Sequence, residues 1–368
     1  MPATHESRRA RLEALLSERG WGAALVSNLV NIRYLTGFTG SNGALLLMPG
    51  AAPVFATDGR YLDQGADQTA LVPYPIKGGA TPALWSQVAD AVGADAWQQV
   101  QTVAVETNHL THDDFVSLDG AKGHCELVPL DGLVEARRRV KDEEEIANLR
   151  EACEISTQAL ETLLAGELLG RSERQLTRAL EASMLDLGAE AVGFDTIMAG
   201  GPHSAVPHHS PTDRAVARGD LLTIDFGARV RGYHADCTRT FVVGQEPADW
   251  QREAYAAVRE AQAVGVAQAR PRAATGDVDA AVVECLRGHG LAERFVHGLG
   301  HGVGLEIHED PFMGAVSTGI LADCDAITIE PGVYLPGRGG VRIEDTLVVR
   351  PDGAEVLTTA PKDLRVVG

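Results

Sequence analysis

Four carboxylates and one imidazole stand out as residues that could do chemistry. They are Asp225 in LLTIDFGA, Asp236 in HADCTRTF, His301 in HGLGHGVGLEIHE, Glu330 in ITIEPGVY and Glu344 in VRIEDT. An oxygen-rich donor set with a single nitrogen suits a hard or borderline divalent cation. Four acids carry more negative charge than one such ion neutralises, so the economical occupant is a bridged pair of divalent ions. Such a pair means metal-assisted hydrolysis. Mn2+ suits the donors best, with Co2+ or Zn2+ as alternatives.

The elements that must position these residues are two hairpins and a loop. LLTIDFGARV reads as a strand, and a turn near Arg231 and Gly232 returns the chain through HADCTRTFVV. That hairpin is expected to bring Asp225 and Asp236 roughly opposite each other, where cross-strand Cβ atoms lie about 4.5–5.5 Å apart. At that distance two carboxylates share a cation more readily than they coexist without one. Asp225 sits in an apolar run, where an uncompensated charge is costly.

In AITIEPGVY, Thr328 and Glu330 face away from Ile327 and Ile329, and in VRIEDTLVV, Arg342 and Glu344 share a face. A Glu330–Arg342 ion pair would be the ordinary account of either residue alone. The repetition of an acid-bearing hairpin favours a metal site. His297, His301 and His308 surround glycines 298, 300, 302 and 304, which let backbone approach closely. Spacing does not say which histidine binds metal. His208 and His209 lie between prolines in SAVPHHSPTD, an irregular segment of the kind that carries binding residues. His5, His109, His112, His124 and His289 have no such context. Neither a nucleophilic-serine nor a nucleotide-binding signature is evident.

A chain of 368 residues with 45% hydrophobic content supports two domains. Residues 1–133 alternate helix and strand: a first helix with Leu12, Leu15 and Leu16 ends at Gly20, and AALVSN, GALLLM, PVFAT and TVAVE read as strands. Helices are expected near 83–92 and 113–118. A capping pattern at Asp142 and Glu145 opens a second domain, 134–368, and Ser172 with Gln175 repeats it. Further helices over about 250–269 and 278–287 lie among strand-like runs. The predicted class is α+β, an α/β N-terminal domain followed by a domain of helices and antiparallel hairpins.

The formal charge of −19 opposes nucleic acid and anionic membranes as partners. Five widely spaced cysteines without a CxxC pair give no disulfide or zinc framework. Lacking a signal-peptide pattern or an uncharged apolar run of about 20 residues, the chain is expected to be cytoplasmic.

The ordered motifs SAVPHH, IDFGA, HADCTRTF, HGLGHGVGLEIHE, IEPGVY and VRIEDT resemble the M24-type metallopeptidases, the family of aminopeptidase P, prolidase and methionine aminopeptidase. The resemblance implies a pita-bread catalytic domain. Its five ligand positions fall on Asp225, Asp236, His301, Glu330 and Glu344. It also implies that His208 and His297 assist substrate binding or the tetrahedral intermediate, that His308 hydrogen-bonds near the reacting carbonyl, that Glu330 carries a proton, and that Arg342 orients the carboxylates. Tyr334 is a weaker pocket candidate.

NIRYLTGFTGSNGALL and ATDGRYLDQGA resemble the creatinase-like N-terminal domain of proline-specific members, which implies a proline-containing peptide as substrate. Creatinase itself uses no metal, and the intact ligand set argues against its activity and against a non-catalytic binding protein. FTGSNG leans toward the small prokaryotic Xaa-Pro aminopeptidases, with Xaa-Pro dipeptidase (prolidase) as the alternative. Relatives commonly pair through the N-terminal domain, so a homodimer is expected.

Overall fold

A computed structural model of the chain describes residues 2–368, with side chains from residue 4 onward. The chain divides into two compact units, Met1–Arg137 and Arg138–Gly368. The boundary expected after residue 133 falls at the first residue of the helix Leu133–Arg139.

In the first unit the four apolar runs become the middle of a six-stranded sheet. Ala23–Val26, Ala44–Leu47 and Val54–Asp58 pair antiparallel, while Thr102–Val105 joins Ala23–Val26 in parallel. The first two strands are buried along their whole length, which is why they read as continuous apolar runs without alternation. Tyr74–Ile76 and Glu126–Pro129 close the two edges. These edge strands are short and contain proline, so neither shows a period-2 signal.

The first helix, Pro2–Glu18, stops before Gly20, which adopts a left-handed φ of 69°. The helix expected near 83–92 is two pieces, Ala80–Ser86 and Val88–Val92, broken at Gln87. The pattern also passed over Leu29–Thr36, although Asn28 caps it by accepting the Val30 N–H and Gly37 ends it at φ 84°. Eight residues are too few for an amphipathic period to show.

The second unit is built as expected from helices and mainly antiparallel sheets. Both capping boxes form: Asp142 opens Glu143–Leu164 and Ser172 opens Glu173–Asp186. One sheet has the order Val366–Val367, Cys237–Val243, Leu221–Phe226, Ile197–Gly200. A five-stranded sheet runs Glu309–Met313, Gly300–Gly302, Ala326–Ile329, Asp345–Val348, Glu355–Val356, and two smaller sheets complete the unit. Val258 and Ala261 of helix Asp249–Gln268 and Val278 and Val282 of helix Thr275–Gly288 share a core with Leu299, Ile327, Ile329 and Leu347. All five cysteines are free thiols. Among the described residues, no helix is long and apolar enough to cross a membrane.

The Asp142 box ties down a long helix at its start, because the aspartate accepts the Glu145 N–H at 2.9 Å and Glu145 returns to the Asp142 N–H at 2.9 Å. Asp142→Ala is expected to lower stability by about 1 kcal/mol. The readout is a lower urea midpoint at unchanged m-value, and an unshifted midpoint would contradict it.

Candidate metal centre and active-site cleft

The four-stranded and five-stranded sheets of the second unit each deliver part of the acidic set. Asp225 lies on Leu221–Phe226 with Thr238 as its cross-strand partner, and Asp236 immediately precedes Cys237–Val243. The two aspartates are therefore diagonal neighbours across the ladder and not a directly facing pair. The ladder ends at Phe226 and Cys237, and a separate small hairpin, Val230 with Tyr233, makes the turn. Arg231 at φ 47° and Gly232 at φ 86° supply the left-handed pair that a two-residue turn needs.

The other sheet carries the glutamates and the histidine. Ile329 pairs with Asp345 and Gly332 with Arg342, and the shared register sets Glu330 against Glu344. The hairpin is interrupted there: the Glu330 N–H donates to the Leu299 carbonyl at 2.9 Å and the Glu344 N–H to the Thr238 carbonyl at 3.1 Å. Each glutamate is thus tied by its backbone to a strand bearing, or adjoining, another member of the set.

His301 sits in Gly300–Gly302, and the flanking glycines have a steric cause. A Cβ on Gly300 would lie 2.2 Å from the Thr328 carbonyl oxygen, and one on Gly302 would lie 2.2 Å from that of Asp310. Only glycine lets this strand pass between its neighbours.

The donors converge. Asp236, His301 and Glu344 are all buried and each offers a ligand atom within 4.8 Å of the others. His301 Nε2 stands 3.5 Å from Asp236 Oδ2 and 3.5 Å from Glu330 Oε1. Its Nδ1 donates to the Gly302 carbonyl at 3.0 Å, which turns the Nε2 lone pair toward the acids. Burial holds this imidazole down at about 4, so it does not supply the missing positive charge. Burial also pushes Asp236 and Glu344 well above the ordinary carboxylate range, reinforced by the neighbouring acids, and raises Glu330 to about 8. Asp225 Oδ1 is buried with no hydrogen-bond partner. Crowded acids, an inward lone pair and an orphaned carboxylate oxygen all fit divalent cations.

Arg342 organises the wall behind them. Its Nη2 donates to Asp225 Oδ2 at 2.7 Å, so its ion-pair partner is Asp225 and not Glu330. Nε donates to Thr238 Oγ1 at 3.0 Å, and that hydroxyl donates to Glu344 Oε2 at 2.7 Å. Nη1 reaches the Tyr334 hydroxyl at 2.8 Å and the Pro207 carbonyl at 3.2 Å. Tyr334 in turn meets His297 Nε2 at 2.8 Å, while His297 Nδ1 bonds the Gly298 carbonyl at 2.8 Å. Both His297 nitrogens are engaged. Burial holds that ring down at about 4 as well.

All ten sequence-singled positions other than Tyr334 line one cleft of about 300 Å3: Asp225, Asp236, His301, Glu330, Glu344, His208, His209, His297, His308 and Arg342. His208 and His308 are exposed there, and the His308 ring packs 4.4 Å from that of His301. Phe194, Ile197 and Ile307 add apolar surface. Sequence reasoning missed Thr238, which carries the Arg342–Glu344 link, and Glu173, a fully buried acid contacting His203 and His209. The Thr238 role follows from its register opposite Asp225. Glu173 gave no signal beyond following a capping serine.

Comparison with known proteins shows what the chain as a whole is similar to. The family model described as Metallopeptidase family M24 matches residues 147–351, and that described as Creatinase/Prolidase N-terminal domain matches 8–140. An Xaa-Pro dipeptidase of Pyrococcus furiosus is 32% identical over 98% of this chain and 99% of its own length. Among solved structures, an Xaa-Pro dipeptidase from Bacillus anthracis superposes with a TM-score of 0.91 at 36% identity, covering 99% of this chain and 100% of that one. An X-Pro aminopeptidase from Thermotoga maritima gives 0.89 at 35%, covering 98% and 99%.

The crowded acids and the glycine strand lead to two expected outcomes. Because the metal-free carboxyls hold protons at higher pH than usual, metal loading near pH 7 should release protons and tighten as pH rises. Calorimetry in two buffers of different ionisation enthalpy reads this, and buffer-independent heat would contradict it. Gly300→Ala should displace the His301 strand and reduce bound metal and activity together by at least about tenfold. Metal analysis with wild-type metal content would refute that.

Proposed function

The chain belongs to metallopeptidase family M24, and from that membership we propose that it is a metal-dependent exopeptidase hydrolysing Xaa-Pro bonds, acting as an Xaa-Pro dipeptidase. The observation that carries the reading is the convergence of the five donor residues on one cleft of about 300 Å3. That volume lies at the small end of ligand pockets and suits a dipeptide. The relatives named as Xaa-Pro dipeptidases weigh toward this choice over the aminopeptidase suggested by FTGSNG.

Asp225, Asp236, His301, Glu330 and Glu344 would hold two divalent ions, Mn2+ first and Co2+ or Zn2+ after it. Such ions lower the pKa of a water and polarise a carbonyl. The chain's own groups do the rest. Arg342 fixes Asp225 directly and Glu344 through Thr238, so the acids keep their places as charge develops. Glu330 is assigned as proton carrier, taking a proton from the attacking water and returning it to the departing proline nitrogen. His208 and His308, both exposed and lining the cleft, are assigned to donate hydrogen bonds to the substrate's carboxylate and to the oxygen that becomes negative. His297 stiffens the wall through Tyr334.

One observation favours the aminopeptidase reading. Arg342 is the one Lys or Arg among the described residues lining the cleft, and its guanidinium is already shared among Thr238, Pro207, Tyr334 and Asp225. A free dipeptide carboxylate would therefore rest on imidazoles, whereas a longer peptide brings no carboxylate to that point. The Thermotoga maritima relative points the same way.

An Xaa-Pro dipeptide and an Xaa-Pro-Yaa tripeptide assayed with Mn2+ distinguish the two. Preference for the dipeptide by about tenfold or more in kcat/KM is expected, which corresponds to about 1.4 kcal/mol of transition-state binding. The reverse preference assigns an aminopeptidase, and no cleavage with any of the three metals assigns a non-catalytic binder. Asp236→Ala or His301→Ala should abolish turnover and lower bound metal while the circular dichroism spectrum persists. Full activity of either variant after chelation would rule out the dinuclear reading.

A further inference from the structure

Glu173 is 0% exposed and has no part in the chemistry above, yet its carboxylate gathers five donor contacts from four residues. Oε1 accepts from the Gly200 N–H at 2.9 Å and from His203 Nδ1 at 2.8 Å. Oε2 accepts from His209 Nε2 at 2.9 Å, the Thr212 N–H at 2.8 Å and the Thr212 hydroxyl at 2.7 Å. A carboxylate can only accept, so the two imidazoles present Nδ1–H and Nε2–H to it. Burial alone would push the carboxyl up, but the donors, led by Gly200 N–H and His209, hold it down at about 2. As the first residue of the helix Glu173–Asp186 it also sits at the end of the helix dipole that favours an anion.

The four anchored residues bracket His208. Gly200 and His203 precede it, and His209 and Thr212 come after it. The stretch between them holds only a short 3-10 turn, Gly201–Ala205. On the other flank, Arg342 holds the Pro207 carbonyl at 3.2 Å. His208 thus stands between one residue tied to the Asp225 wall and one tied to Glu173, while its own exposed ring lines the cleft.

We propose that Glu173 is a positioning residue for His208: its buried carboxylate locks the 200–212 segment so that the His208 ring meets the substrate already in place. Without the lock, ordering this irregular segment would be an entropic cost met when substrate binds. A displacement of about 1 Å in a catalytic group can lower the rate about a hundredfold. Glu173, His203 and His209 also have ligand atoms within 4.8 Å of one another. A metal there is disfavoured, since a carboxylate offers about four lone-pair sites and donors already occupy both oxygens.

The proposal rests on the reading that His208 serves Xaa-Pro hydrolysis, and the test separates the two. In the full-length Mn2+-loaded enzyme, Glu173→Gln should lower kcat/KM about 10- to 100-fold, with metal per chain and circular dichroism unchanged. The double variant Glu173→Gln/His208→Ala should be no more than about twofold worse than His208→Ala, because the second change acts only through the first-lost group. Multiplicative losses, or the loss of a metal ion per chain in Glu173→Gln, would overturn it.

Should Glu173→Gln misfold, His209→Phe breaks the anchor and His209→Gln restores a donor near Nε2. Recovery of activity in the latter is expected, and its absence counts against the proposal. If the wild type cleaves no Xaa-Pro peptide, the functional reading fails by itself. The lock is then judged by two exchange-protected imidazole N–H proton resonances, expected in the wild type and lost in Glu173→Gln. Their absence from the wild type would overturn it.

Discussion

Four buried or partly buried carboxylates and a neutral imidazole lining one cleft, with Asp236, His301 and Glu344 offering ligand atoms within 4.8 Å of one another, form an arrangement that protein alone does not neutralise. Asp236 and Glu344 are almost fully enclosed, and Arg342 brings one positive charge where at least two are needed. Protons compensate in part, which is why Asp236, Glu330 and Glu344 all hold theirs above the ordinary range. Divalent ions compensate more completely and convert a repulsive cluster into a reactive one. The surrounding fold serves mainly to keep these groups from relaxing apart.

That restraint is mechanical as well as electrostatic. The aspartates come from one sheet and the histidine and glutamates from another, and the join runs through the Glu344 N–H bond to Thr238 and the Arg342 fork to Asp225. Glycines at 300 and 302 allow the His301 strand to be squeezed between two backbones. A set assembled this way has little freedom to move, which is what preorganised catalysis requires. The segment of the cleft that carries His208 is irregular apart from the turn Gly201–Ala205 and lacks a sheet to hold it. The buried Glu173 carboxylate is chemically suited to anchor that segment because it accepts from several directions at once.

Substrate choice rests on different groups from the chemistry. A metal centre held by these donors would direct attack on a polarised carbonyl and would be indifferent to whether the chain continues past the proline. Discrimination between a dipeptide and a longer peptide depends on whether the cleft has a donor free for a terminal carboxylate, and Arg342 is already committed to four partners. Under the proposed function, the imidazoles of His208 and His308, which line the cleft, would be the groups left to meet that carboxylate, and the proposed positioning of His208 would then bear on selectivity as well as rate.

Much of this was legible in the chain itself. Residue types in alternating apolar runs marked the five donors, the capping patterns at Asp142 and Ser172 marked two helix starts, and the glycines around His301 marked a close backbone approach. These are local signals, set by side-chain chemistry and the period of one element. Register and partner choice are not local. The diagonal offset of Asp225 and Asp236 arises where one ladder stops and a second hairpin makes the turn. The preference of Arg342 for Asp225 over Glu330 depends on two sheets meeting, and the helix Leu29–Thr36 and the proline-bearing edge strands take their form from packing more than from pattern. Glu173 shows the limit most plainly, since its partners lie about 27 to 39 positions further along the chain, at Gly200, His203, His209 and Thr212. The sequence determined which groups could bind metal and move protons; only the tertiary structure decided which of them touch, because hydrogen bonds and ion pairs between distant residues depend on a geometry that no single element contains.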